Sequence, residues 1–98
     1  METTTVQVIK EYREVQGLSL RRFAAAINEK LINTEVTYST VYRWEDMQAP
    51  FEPDMRLLFE CISTYSDWRR AWAIACLSSM FPDLVGSGIV VFNLPKAE

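Results

Sequence analysis

Residues 18–45 hold two helix-start signals, each followed by a short amphipathic run, and this pairing constrains the fold more than any other feature of the chain. The first run is Leu18-Ser19-Leu20-Arg21-Arg22-Phe23-Ala24-Ala25-Ala26-Ile27-Asn28, and the second is Val36-Thr37-Tyr38-Ser39-Thr40-Val41-Tyr42-Arg43-Trp44-Glu45. Ser19 and Thr37 each offer a side-chain oxygen to the free N–H groups of a first helical turn. Leu20, Phe23, Ala24, Ile27 and Leu31 then recur at the spacing of one helical face. In the second run Val41 and Trp44 point inward, while Tyr38, Tyr42 and Arg43 point outward.

The flanking sequence extends the same pattern. The N-terminal threonines start a first helix, with Val6, Ile9, Tyr12 or Arg13, and Gln16 along one stripe. Gly17 ends it, because glycine readily takes the left-handed cap conformation. Asn33 to Glu35 read as a turn, and Pro50 and Pro53 delimit an irregular loop. Asp54 lies at the start of a fourth helix, whose expected core face is Leu58, Phe59 and Ile62. Ser66 or Asp67 caps a fifth helix, spanning about Trp68 to Met80 and stopped by Pro82. Ala71 to Leu77 is apolar without a break, so that stretch is buried all round or covered by a partner. After Gly86-Ser87-Gly88 comes Ile89-Val90-Val91-Phe92-Asn93-Leu94, rich in strand formers. The expected architecture is all-α with five helices. Residues 1–85 form the domain, and residues 86–98 form a short extended segment, either a dimerisation strand or a flexible tail.

Composition narrows the function classes. A chain of 98 residues suits one compact domain, and its 49% apolar content is enough for a core. There is no His, and Cys61 and Cys76 sit singly in apolar helical runs. They are expected to be buried thiols of a cytoplasmic protein, with no metal site and no cofactor. No apolar run reaches the roughly 18–20 residues of a membrane span. No nucleophile–base constellation or phosphate-binding glycine loop indicates an enzyme. The net charge of −3 is unevenly distributed. Residues 18–45 carry Arg21, Arg22, Lys30 and Arg43 against Glu29, Glu35 and Glu45, a balance of +1. Residues 46–60 carry Asp46, Glu52, Asp54 and Glu60 against Arg56, a balance of −3.

Arg13 before Gly17-Leu18-Ser19, Phe23-Ala24 in the second helix, and Val36 to Val41 leading to Arg43-Trp44-Glu45 together resemble the phage repressor and Cro family of helix-turn-helix regulators, often called XRE-type. The resemblance covers roughly Val8 to Ile62 and implies a lambda-repressor-like domain binding double-stranded DNA. It implies an ion pair between Arg13 and Glu45. It also places Tyr38, Ser39 and Arg43 on base edges in the major groove, and Thr37, Thr40, Tyr42, Arg21 and Arg22 on phosphates. The chain departs from the family at two places. About seven residues, Glu29 to Glu35, are inserted between helices two and three. Helix two is therefore expected to lengthen by about one turn, with the chain returning through Ile32 to Val36. The loop after helix three is acidic, Asp46-Met47-Gln48-Ala49-Pro50, where the family often carries Asn-Gly-Lys-like residues on phosphate.

A module this small is expected to bind a two-fold site as a homodimer. Trp44 is expected in the core. Trp68 and Trp72 divide between core and dimer contact, and with Ile89 and Val91 they make the expected dimer surface. A different class of function is a protein-binding module, an antirepressor or adaptor, on the same fold without DNA binding. The acidity of the chain and of the loop after helix three motivates it.

Overall fold

The computed structural model describes residues 5–46, 48 and 51–83. Five helices run in order: α1 (Thr5–Val15), α2 (Leu20–Asn28), α3 (Tyr38–Trp44), α4 (Met55–Thr64) and α5 (Trp68–Met80). There is no strand among the described residues. The expected extended segment, with Ile89 and Val91, lies outside them. No helix among the described residues is long and apolar enough to cross a membrane.

Local chemistry sets most helix ends. Gly17, at φ +69°, closes α1 in the left-handed conformation that a side chain would disfavour. Ser19 accepts the Arg22 N–H, Thr37 the Thr40 N–H, Asp54 the Arg56 N–H, and Asp67 the Arg69 N–H. Each cap satisfies a donor that the helix itself leaves free.

α5 is the central element, packed against both α4 and α1. Its apolar stretch is covered from within the chain: Trp72, Ala73, Cys76 and Leu77 are buried, Ile74 and Ala75 half-buried, and Ala71 exposed. Trp72 has no exposed surface. Its ring meets Phe23 of α2 edge-on at 5.6 Å and Trp44 of α3 at 5.9 Å. That aromatic junction corrects the expectation that Trp72 contributes to a dimer surface, since its side chain is fully occupied by α2 and α3. Trp68 is half-buried, with its ring 5.7 Å from Phe23. Trp44 is in the core, as its inward spacing predicts.

Two helical faces differ from their sequence reading. In α4 the buried residues are Leu57, Leu58 and Cys61, whereas Phe59 is 42% exposed. The stripe facing α5 continues from Leu58 through Cys61 to Tyr65, and Phe59 is turned about 100° off it. In α1 the buried residues are Val6, Val8 and Ile9, and Gln16 is exposed beyond the helix end. Cys61 and Cys76 are free, buried thiols.

The largest correction concerns helix two. It does not lengthen: α2 ends at Asn28, and residues 29–37 return as an irregular connection. The carbonyls that would have carried another turn are taken by side chains from the α4–α5 region. Arg69 Nη1 donates to Ala26 O at 2.9 Å, and Tyr65 Oη donates to Ile27 O at 2.6 Å. Lys30 N, which would have bonded Ala26 O in a longer helix, donates instead to Tyr65 Oη at 2.9 Å.

Candidate nucleic-acid interface

α3 is short and sits on the surface by one face only. Val41 and Trp44 are buried beneath it, and Tyr38, Ser39, Tyr42 and Arg43 are exposed. Tyr38 is 44% exposed and Tyr42 62%, so both rings present apolar faces and hydroxyl groups to solvent. The N-terminus of α2 lies alongside, with Arg21 and Arg22 exposed. The Arg21 guanidinium stands over the Tyr38 ring at 4.1 Å from its centroid. At the far end of α3, Arg43 lies 5.5 Å from the Phe51 ring centroid, and Phe51 N donates to Arg43 O at 3.2 Å.

Of the residues expected on base edges and on phosphates, Arg21 and Tyr38 are in contact, and Arg22, Ser39, Tyr42 and Arg43 are exposed on the same two helices, with two qualifications. Thr37 is first of all a cap: its Oγ1 accepts from Thr40 N at 3.2 Å and lies 3.1 Å from Thr40 Oγ1. Thr40 is half-buried. The two hydroxyls therefore serve the start of α3 before they can serve any ligand.

The residues within the two helices carry charge of one sign. α2 and α3 contain three arginines and no carboxylate. Several acids of the chain have partners, while Glu35, just before the α3 cap, and Glu52, in the loop after α3, are exposed. Glu45 is tied to Arg13, Glu29 and Asp67 to Arg69, and Glu60 to the 29–37 connection, while Asp54 caps α4. Asp46 Oδ1 accepts from Gln48 N within the loop after α3.

The orientation of α3 is held from three sides. Arg13 Nε and Nη2 donate to the two Glu45 carboxylate oxygens, each at 2.8 Å, and Nη1 donates to Leu18 O at 3.0 Å. One guanidinium thus joins α1, the α1–α2 turn and the end of α3. The Glu45 hydrogen bond raises the Arg13 pKa above its ordinary value against the opposing effect of burial. Asn28 holds the start of α3 by pairing with Val36 through both of its amide atoms, accepting from Val36 N at 2.7 Å and donating to Val36 O at 2.5 Å. The apex of the connection is fastened to α4 by Glu60, which accepts from Ile32 N at 2.9 Å, Asn33 N at 3.2 Å and Thr34 Oγ1 at 2.7 Å. The Ile32, Thr34 and Asn33 hydrogen bonds, in that order of effect, hold the Glu60 carboxyl below its ordinary pKa.

Sequence reasoning missed four of these supports: Asn28, Glu60, Tyr65 and Arg69. Only Tyr65 carried a readable signal, because it prolongs the α4 core stripe at Leu58, Cys61 and Tyr65. A group of three or more Cys, Asp or Glu residues suited to a metal ion is absent among the described residues. In comparisons with protein-family models, curated proteins and solved structures, nothing matches this chain.

Proposed function

We propose that this chain is a sequence-specific, double-stranded DNA-binding transcriptional regulator of the helix-turn-helix type, related in plan to the phage repressor and Cro family and acting in the cytoplasm. α2 and α3 are its helix-turn-helix unit, and α3 is the reading helix. The observation that carries the proposal is the α2–α3 surface, where Tyr38, Ser39, Tyr42 and Arg43 stand exposed beside Arg21 and Arg22 with no carboxylate on either helix. An α-helix with its side chains is about 10–12 Å across, and a major groove about 12 Å wide admits it. Arg43 suits a bidentate contact to guanine, and Tyr38 and Ser39 supply shorter-range hydrogen bonds from the first turn. Arg21, Arg22 and Tyr42, with what hydroxyl capacity Thr37 and Thr40 retain, meet phosphates. The three arginines of α2 and α3 counter the overall charge of −3 locally, because the field at the groove depends most on the charges nearest to it.

The protein acts as a homodimer on a two-fold site, since one module of this size covers little DNA. It is a binding protein rather than an enzyme, and it needs no metal or cofactor. Selection of bound duplexes from a random pool at near-physiological salt tests the reading. A recovered palindrome is the expected result, and no enrichment by demonstrably folded protein would overturn it.

A second reading, a protein-binding module on the same fold, is favoured by one observation. Ile32 (89%), Phe51 (57%), Met55 (41%) and Phe59 (42%) leave large apolar side chains in solvent. The two readings separate on salt, because DNA binding through three arginines weakens steeply as salt rises and an apolar contact does not.

A further inference from the structure

The contact between Arg21 and Tyr38 joins two helices separated by a long irregular connection. A tight turn would fix the angle between α2 and α3 covalently, but here residues 29–37 separate them. Asn28 and Glu60 fasten that connection at its base and apex. Neither touches the first residue of the reading helix, Tyr38, which follows the cap Thr37 directly. A half-exposed tyrosine at such a position has several staggered side-chain orientations open to it. The Arg21 guanidinium, reaching from the first turn of α2, covers one face of the ring at 4.1 Å. Arg21 takes part in no ion pair among the described residues, so no described carboxylate competes for it.

We infer that Arg21 is a positioning residue that sets the base preference of Tyr38, beyond any charge it contributes toward phosphate. This rests on the DNA-reading function proposed above. The chemistry suits the role. A guanidinium stacks on an aromatic face through its weakly hydrated plane and keeps its N–H donors free at the edges. Arg21 can therefore hold the Tyr38 ring while its edge still meets an acceptor on the DNA backbone. A lysine would keep the charge but has no plane to lay on the ring. The ring orientation, and with it the direction of the Tyr38 hydroxyl, is fixed before DNA arrives, so binding does not have to restrict it.

The test uses the full chain in two stages. In free protein, the Arg21 side-chain NMR resonances are expected to be shifted upfield by the Tyr38 ring, and Tyr38→Leu to abolish the shift. On the duplex recovered by selection, Arg21→Met is expected to weaken binding to all sequences and also to lower discrimination at one base pair by about two- to fivefold, the free-energy range of an exposed cation–π contact. Arg21→Lys is expected to restore the salt dependence but not that discrimination, and Arg21→Met is expected to add nothing to the loss of discrimination in a Tyr38→Leu background. If Arg21→Met weakens all sequences equally, Arg21 is a phosphate contact only, and the inference is overturned while the DNA-reading function stands. If the upfield shift is present but folded protein enriches no DNA, both are overturned and the stacked pair is purely structural.

Discussion

Tyr65 holds the end of α2 by donating its hydroxyl proton to Ile27 O at 2.6 Å while accepting the Lys30 N–H at 2.9 Å. The residue is 2% exposed, and the Arg69 guanidinium lies over the ring at 3.8 Å from its centroid. That hydroxyl, together with Arg69 on Ala26 O, closes α2 where the connection to α3 begins. Burial, the largest influence, raises the Tyr65 pKa above its ordinary value, so the proton that serves Ile27 is retained at neutral pH.

Tyr65→Phe removes that hydroxyl and keeps the ring. It leaves Ile27 O and Lys30 N without their partner, and the expected loss is about 1–3 kcal/mol of unfolding free energy. Urea denaturation checks this, and a loss under about 0.5 kcal/mol would show that water replaces the hydroxyl without penalty.

Breaking the Arg13–Glu45 pair from either side should cost more than the pair itself contributes. The side chains are 19% and 11% exposed, and either survivor would be a nearly buried, uncompensated charge. Glu45→Ala is expected to cost about 3 kcal/mol, near the lower end for a buried pair. Arg13→Met combined with Glu45→Leu is expected to recover most of it. Equal costs for the single and double variants, measured by the same unfolding assay, would contradict this.

Acid should release the connection between α2 and α3. Glu60 has a lowered carboxyl pKa when it holds Ile32, Thr34 and Asn33, and its ordinary value of 4.5 when it does not. The fastened state therefore binds fewer protons. Its advantage is fully present above 4.5 and is lost as the pH falls through the lowered value. The backbone amide signals of Ile32 and Asn33, followed by NMR, should shift together with an inflection below 4.5, and Glu60→Gln should remove that inflection. Asp67, lowered mainly by its hydrogen bond with Arg69, titrates in the same acid range but should report at Arg69 and not at the connection.

The two thiols should be inert in the folded protein. Burial pushes the Cys61 pKa up to about 12 and raises that of Cys76 as well, so the reactive thiolate is scarce at neutral pH. Both side chains are also fully buried. A thiol reagent is expected to label neither in native protein and both in denaturant. Fast labelling of native protein would show that α4 and α5 separate readily.

Arg43→Ala should leave folding intact, because the side chain is exposed. On the selected duplex it is expected to cost about 1–3 kcal/mol and to relax preference at one base pair. A uniform loss across sequences, with a smaller salt slope, would instead make Arg43 a phosphate contact.

The sequence by itself determined where helices begin. Ser19, Thr37, Asp54 and Asp67 each bond an N–H two or three residues ahead, and Gly17 supplies its own backbone conformation, so these signals are complete within a few residues. It also determined that Val41 and Trp44 face inward and that Tyr38, Tyr42 and Arg43 face outward, because helical periodicity is equally local. Tertiary structure alone decided the end of α2, the fastening of residues 29–37, the burial of Trp72 and the exposure of Phe59. Ile32 meets its partner 28 residues away, Ile27 38 residues away and Ala26 43 residues away. A helix stops where its last carbonyls find better partners than the next turn offers, and those partners exist only once α4 and α5 have packed.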